Sequence, residues 1–370
     1  MFRFLHSSDL HLGKAFGTLP EEIRHRLREA RHGALGRLAA AARAAGASHV
    51  LLAGDTFDAA TPAPATRRQA LRAIAEAADL VWVLLPGNHD SLAAVELWRA
   101  VAAEAPPNLR LALDPVPMAL APGVSLLPAP LPVRRPGRDL TEWFDEAAAP
   151  GLRIGLAHGP VQSFGDGGGV PIAPDRARRA GLDWLALGDW HGEVRIDART
   201  AYSGSPERDG FRHDGPGRAL VVALAGPGAP PEVTPVTTGA FDWRDARLDL
   251  LPGLDPGPAL AALLPPPAAR RDTLLRLTLR GRITPAGRAA LAAALADCAP
   301  DFGWFSWDDR ELTTAVSAAD LDLLDRAGAL RAAAEELAAE ADDPTRAEAE
   351  RRIAAAALDR LFAFVREVAP

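Results

Sequence analysis

Leu80-Val-Trp-Val-Leu-Leu-Pro-Gly-Asn-His-Asp90 decides how the chain is read, because an unbroken apolar run stops abruptly in an amide, an imidazole and a carboxylate. A run without polar alternation reads as a strand buried on both faces, which delivers its polar groups at its C-terminal end. Four other stretches share the construction. Phe2-Arg-Phe-Leu-His6 leads to Asp9 and His11, and His49-Val-Leu-Leu-Ala53 leads to Gly54-Asp55-Thr56-Phe57-Asp58. Leu152-Arg-Ile-Gly-Leu-Ala157 leads to His158-Gly159, and Trp184-Leu-Ala-Leu187 leads to Gly188-Asp189-Trp190-His191. Five strands thus aim Asp, Asn and His at one place, and such a mixed oxygen and imidazole set suits divalent cations such as Mn, Fe or Zn.

Composition sets the outer limits. With 370 residues, 48% of them hydrophobic, the chain can bury a large core and is long enough for two domains or a little more. No apolar run reaches the roughly 20 residues of a membrane span, and MFRFLHSSDL lacks the apolar core and cleavage site of a signal peptide. The expectation is a soluble, cytoplasmic protein with no membrane partner. A lone cysteine, Cys298, excludes an internal disulfide and a thiolate zinc cluster, so a metal would be held by His, Asp and Asn. The net charge of −7 argues against coating nucleic acid through overall basicity. Local clusters remain candidates for phosphate contacts: Arg24-His25-Arg26, Arg28, Arg31 and His32 on one helix, then Arg134-Arg135, Arg176, Arg178-Arg179 and Arg270-Arg271. Solvated surface arginine is the plainer reading of each. Lys14, the only lysine in an Arg-rich chain, reflects coding bias.

In chain order, the first strand is followed by a helix from Pro20 to Ala45, with Glu21 and Glu22 at its positive end and Gly46 as its stop. A second helix spans Arg67 to Ala78, and Ser91 is placed to cap a third through about Ala103. Alternating strands and helices predict an α/β fold. A strand at Val124–Leu127 and a short helix near Leu140–Ala147 precede the two later motif strands. Between those strands, Ser163-Phe-Gly-Asp-Gly-Gly-Gly169 reads as a loop near the site, because no helix start follows at phosphate-loop spacing. Tyr202 to Pro206 and Ala219–Leu224 complete a first domain, residues 1–240, and Gly226 to Pro231 is a hairpin tip.

From Phe241 the pattern is strand, helix, strand (Thr273–Arg280), helix (Pro285–Ala296) and strand (Trp304–Trp307), a small α/β accessory domain over 241–316. Trp304 and Trp307 would point to different faces of that strand, with core packing the plainer reading for one of them and base stacking the alternative. Residues 317–370 read as a charged helical C-terminus, with Ile353, Leu358, Leu361, Phe362 and Val365 on or near one face of the last helix. His6 reads as a satisfied core histidine. His25, His32 and His213 read as solvent-facing, and His49 as the opening of a strand.

Taken together, Asp9-Leu-His11, Gly54-Asp55-Thr-Phe-Asp58, Gly87-Asn88-His89-Asp90, His158-Gly159 and Gly188-Asp-Trp-His191 resemble the five ordered motifs of the calcineurin-like metallophosphoesterases. That resemblance implies a β-sandwich flanked by helices and a site for two divalent ions, Mn first among Mg, Fe and Zn. It implies that Asp9, His11 and His191 hold one ion, that Asp55 bridges, and that Asn88 and His158 hold the other. His89 is then the histidine that meets the scissile phosphate and assists the leaving oxygen, with the Asp58 carboxylate hydrogen-bonded to its other nitrogen. The family's last motif usually reads Gly-His-x-His; Asp189 stands where a histidine is usual, either as an oxygen ligand of the second ion or as the mark of a weakened site.

The wording around Asp9, Thr56-Phe57-Asp58 and Gly87-Asn-His-Asp-Ser91 is more particularly similar to the SbcD-type DNA-repair exonucleases. That implies DNA as substrate and a coiled-coil ATPase subunit of the SMC type as partner, docked on the helices after Ser317, with a homodimer as a further assembly. A phosphomonoesterase, a cyclic-nucleotide phosphodiesterase, or a chiefly structural subunit of an ATPase complex are the alternatives carried forward.

Overall fold

The computed structural model describes residues 1–161, 171–213, 215–315 and 328–368. The described chain divides into two units, Met1–Trp243 and Arg244–Pro370. The first contains β1 (Phe2–Ser7), α1 (Glu21–Ala44), β2 (His49–Leu52), α2 (Pro64–Glu76), β3 (Val81–Leu84) and α3 (Val95–Glu104). These are followed by β4 (Leu109–Leu111), β5 (Met118–Ala121), β6 (Val124–Ala129), β7 (Leu152–His158) and α4 (Arg176–Arg179). It closes with β8 (Trp184–Gly188), β9 (Val194–Arg195), β10 (Thr200–Tyr202), β11 (Arg218–Leu224) and β12 (Glu232–Thr237).

Two six-stranded sheets result, ordered β12-β11-β1-β2-β3-β4 and β5-β6-β7-β8-β10-β9. β1 to β4 run parallel in the first, and β6, β7, β8 and β10 run parallel in the second. The period-two geometry of a strand explains why the motif strands are apolar throughout. Leu5, Val50, Leu52, Trp82 and Leu84 bury one face of the first sheet in a core shared with Leu35, Leu38, Leu71, Ile74 and Trp98 of α1, α2 and α3. Phe4, Leu51 and Val83 turn the other way and pack with Ile154, Leu156, Trp184 and Ala186 of the second sheet. The fold is therefore an α/β sandwich with helices outside.

Register sets the site. His6 pairs with Leu51, Leu52 with Leu84, and His158 with Gly188, so β1, β2 and β3 end level in one sheet and β7 and β8 end level in the other. Every loop carrying a motif leaves from one of those five ends. α3 starts at Val95, not at Ser91, because Ser91 to Ala94 form a turn closed by Ala94 N–H donating to the Ser91 carbonyl at 2.8 Å. The hairpin at 226–231 is present, joining antiparallel β11 and β12.

The second unit contains most of β13 (Asp242–Leu250), then α5 (Pro256–Leu263), α6 (Pro267–Arg270), β14 (Thr273–Ile283), α7 (Pro285–Cys298) and β15 (Trp304–Thr314). Asp255 and Thr284 cap α5 and α7 by accepting from the Gly257 and Gly287 N–H groups. Leu248, Leu277, Leu291, Leu295 and Leu312 form its core. Neither tryptophan of β15 enters a core. Trp304 is half-buried and Trp307 is 44% exposed, while Phe302 is buried in a satellite cluster with Leu275 and Cys298. α8 (Ala329–Asp342) and α9 (Glu348–Val368) pack together through Ala334, Leu358 and Phe362. The expected apolar stripe is thus divided: Leu358 and Phe362 are covered within the unit, whereas Ile353 remains exposed. Ser163 to Gly169, Ser317 and the Val365 side chain lie outside the described residues.

Candidate metal centre

The loop after β1 runs alongside the loop after β2, with Asp9 N–H donating to the Gly54 carbonyl at 3.1 Å and His11 N–H to the Asp55 carbonyl at 2.9 Å. This pairing places Asp9, His11 and Asp55 side by side in a wholly buried position. Gly87 lets the β3 loop close over them, since a Cβ there would overlap the Asp55 carboxylate. His89 N–H then donates to Asp55 Oδ1 at 2.8 Å, which leaves Oδ2 for the interior of the cluster.

Asp55 Oδ2 is the hub. It lies 3.5 Å from His11 Nε2 and 3.6 Å from His158 Nε2. On one side, His11 Nε2 and His191 Nε2 stand 3.2 Å apart, and each is 4.0 Å from Asp9 Oδ1. On the other, His158 Nε2 is 3.8 Å from Asp189 Oδ1, and that oxygen accepts from Asn88 Nδ2 at 2.8 Å. Ligand atoms about 2.1 Å from a shared ion lie roughly 3 to 3.5 Å from one another. The observed spacings are of that order.

Two buried atoms test whether a cation belongs here. His158 Nε2 and Asn88 Oδ1 are buried in the cluster, and neither has a hydrogen-bond partner among the described residues. Orphaned buried polar atoms are costly unless something satisfies them. His158 is aimed by its other nitrogen, which donates to the Ala53 carbonyl at 2.8 Å. Burial alone would lower its pKa, but Asp55, Asp9 and Asp189 together hold it up at about 9, a measure of how strongly the cluster attracts positive charge. Asp189 is raised by burial and by Asp9 and Asp55, as expected of like charges crowded together. The donor set fits two divalent ions, with Asp55 between Asp9, His11 and His191 on one side and Asn88, His158 and Asp189 on the other.

One expected pairing is different. The Asp58 carboxylate does not reach His89: Oδ1 bonds His11 Nδ1 at 3.1 Å, and His89 Nδ1 donates instead to the Asp58 backbone carbonyl at 2.8 Å. His11 and His89 stack edge to face, with ring centroids 4.7 Å apart, so a single residue orients both rings through different atoms. Burial lowers the pKa of His11, which keeps its Nε2 free of a proton and open to a cation. Asp58 would be raised by burial, but its bond to His11 brings it below the ordinary carboxylate value.

Two further residues complete the architecture. Asp90 is buried and accepts from Gly87 N–H at 2.7 Å and Phe57 N–H at 3.0 Å, clamping the β2 and β3 loops together. Burial, then repulsion from Asp55, raises it to about 7. Asp209 lies in the connection between β10 and β11, where Oδ1 bonds His191 Nδ1 at 3.2 Å and Oδ2 accepts from Lys14 Nζ at 2.6 Å. No motif near Asp209 announced that role. Lys14 therefore has a structural partner at the site.

Other expectations divide. His6 is buried with Nε2 against the Leu187 carbonyl, His49 opens β2, and His25 is exposed. His213 is half-buried, its ring 4.9 Å from that of Trp190, and is not a freely solvated side chain. Arg31 and Arg176 are buried and committed, Arg31 to the Glu207 and His11 carbonyls and Arg176 to Asp139 and Asp145, so neither is available to a phosphate. Arg178, Arg179 and Arg270 are paired with Asp175, Asp145 and Asp301, whereas Arg134 and Arg135 stand beside the metal centre.

An α/β sandwich with carboxylates and imidazoles gathered at its strand ends defines a metal-dependent phosphoesterase. The calcineurin-like phosphoesterase family model matches residues 2–193, and the chain belongs to that family. No curated protein sequence matches it. Among solved structures, the crystal structure of TT1561 of Thermus thermophilus is similar, with 13% identity, a TM-score of 0.41, and coverage of 63% of this chain and 98% of that one. No helix among the described residues is long and apolar enough to cross a membrane.

Proposed function

We propose that the chain is a two-metal phosphodiesterase that cleaves DNA strands, a nuclease of the SbcD type working beside a coiled-coil ATPase. The observation that carries the two-metal phosphoesterase reading is Asp55 Oδ2, within 3.6 Å of imidazoles from two different ligand groups. DNA as the substrate rests on the local wording around Asp9, Asp58 and Asn88 and on the separately packed second unit with its helical pair. Manganese is the proposed ion, since the hard carboxylates of Asp9, Asp55 and Asp189 beside imidazoles suit it.

When bound, two such ions supply Lewis-acid activation of water and neutralise charge on the phosphoryl group. Asp9, His11 and His191 would hold one, Asn88, His158 and Asp189 the other, and Asp55 both. His89 has its Nδ1 proton committed to the Asp58 carbonyl, so Nε2 is the atom that faces substrate. A protonated Nε2 can hand its proton to the leaving oxygen, a contribution of roughly 100- to 10,000-fold. Asp58 holds His11 as a ligand through its carboxylate and His89 as a proton donor through its backbone.

The test is incubation of the protein with Mn, a labelled DNA strand and a small phosphodiester in parallel. Cleavage of the strand supports the reading. Turnover of the small ester alone rejects it in favour of an enzyme of small phosphoesters.

A further inference from the structure

Beside Asn88, His89, His158 and Asp189 opens a cleft of about 300 Å³ whose outer wall carries Arg134, Arg135, Arg138 and Arg212. All four arginines are exposed, and among the described residues no carboxylate pairs with Arg134, Arg135 or Arg138. The nearest acid in sequence, Asp139, is not available to neutralise them. It is buried and already accepts from Thr141 N–H and Arg176. Holding three unpaired cations within five residues costs self-repulsion that a solvated surface would relieve by interspersed acids. Elsewhere on the chain most arginines have done so: Arg43, Arg67, Arg72, Arg99 and Arg276 each pair with a carboxylate. The inner wall is different, with Leu131 and Ile172 buried.

We infer that this cleft holds a second phosphate of the substrate, so that the enzyme takes a strand with one phosphate at the metal centre and a neighbouring phosphate on Arg134, Arg135 and Arg138. Guanidinium forks match phosphate oxygens bidentately, and the volume lies at the lower bound of ligand-sized clefts, about 300 to 1,000 Å³. A phosphomonoester or a cyclic nucleotide has no second phosphate to offer. The identity of the polymer as DNA rests on the proposed function; the second phosphate does not.

The triple variant R134A/R135A/R138A tests it, with R72A/R99A as a charge-removal control far from the cleft in sequence and on other elements. Two quantities are read: the salt dependence of equilibrium binding to a labelled single strand, and the ratio of kcat/KM for the strand to that for a one-phosphate aryl diester. Each phosphate contact on a single strand contributes about 0.7 to the slope of log affinity against log salt. The triple variant should therefore lose about 0.7 from that slope, and its strand-to-diester ratio should fall at least about tenfold through KM; the control should lose neither. A slope and ratio equal to wild type, or equal losses in the control, overturn the inference. A wild type that binds a strand with arginine-dependent slope but cuts none sinks the nuclease reading and leaves the cleft standing. One that cuts strands with an arginine-independent slope does the reverse, and one that neither binds nor cuts them sinks both.

Discussion

Replacing Asp209 by Asn keeps the size of the side chain and removes its charge, at a position that no motif marks. Asp209 touches His191 Nδ1, Lys14 Nζ and, at 3.7 Å, Arg31. Burial would raise its pKa, yet the bond to His191 and the surrounding cations hold it well below the carboxylate range, so it is ionised in any ordinary buffer. An ionised acceptor fixes the His191 tautomer with the proton on Nδ1 and makes Nε2 a better donor to a metal. Loss of such a partner lowers metal affinity about 10- to 100-fold, or about 1.4 to 2.7 kcal/mol. The loss should fall on one ion only, because Asn88, His158 and Asp189 have no contact with Asp209 among the described residues. Calorimetric titration with Mn should then resolve one unchanged and one weakened site. Lys14→Met separates orientation from net charge: it removes a cation beside the site and keeps the carboxylate, so metal binding should tighten slightly. If Asp209→Asn binds both ions within twofold of wild type, or if both variants weaken binding alike, Asp209 does not position His191.

Three other expectations are briefer. His89→Ala should keep both ions and lose at least about 100-fold in rate, whereas Asp58→Asn should weaken metal binding about 10- to 100-fold, because its carboxylate serves His11; metal stoichiometry beside turnover separates the two. Asp189→Ala should weaken the second ion and Asp189→His should raise the Zn-to-Mn affinity ratio, measured by competition; normal binding of both ions by Asp189→Ala would remove it from the ligand set. His6 is buried, its Nδ1 has no hydrogen-bond partner among the described residues, and burial lowers its pKa to about 4 from 6.5. Below pH 6.5 the unfolded chain takes up a proton that the folded chain refuses, so stability present above pH 6.5 drains away as the pH falls toward 4. At about 1.4 kcal/mol per pH unit the full loss is about 3 kcal/mol. In His6→Gln, urea midpoints at pH 7.5 and pH 5 should differ less than in wild type; an equal difference would place the acid sensitivity elsewhere.

The five strand ends were legible because strands buried on both faces must be apolar until they stop, and β1, β2, β3, β7 and β8 all stop in ligand-type residues. The edges were not. β4, β5 and β9 are two to four residues long, too short for any period to register, and β12 is largely exposed and carries Pro235, which only an edge strand tolerates. Charge misled in both directions. Arg31 and Arg176 look like surface cations in sequence and are buried because backbone carbonyls or paired acids meet them, while Asp209 reaches His191 through the fold of an intervening connection. The Asp58 to His89 contact shows a finer limit: the right two residues meet, but through a carbonyl, and a sequence names residues and not atoms.

Local preference and global need part company at the metal centre itself. Asp9, His11, Asp55 and Asp189 all have positive φ, at 56°, 44°, 53° and 104°, and among the described non-glycine residues Phe16 alone shares that property. Such backbone costs on the order of 1 to 3 kcal/mol each and persists only where surrounding structure imposes it. Here the imposing structure is visible. The loops after β1 and β2 are laced by hydrogen bonds between Asp9 and Gly54 and between His11 and Asp55, and Asp90 ties Phe57 to Gly87. Positive φ falls at Asp9 and His11 beyond β1, at Asp55 beyond β2 and at Asp189 beyond β8. Asp9 and Asp55, two wholly buried carboxylates, are thereby held within reach of the same imidazole, an arrangement whose natural counterion is a divalent cation.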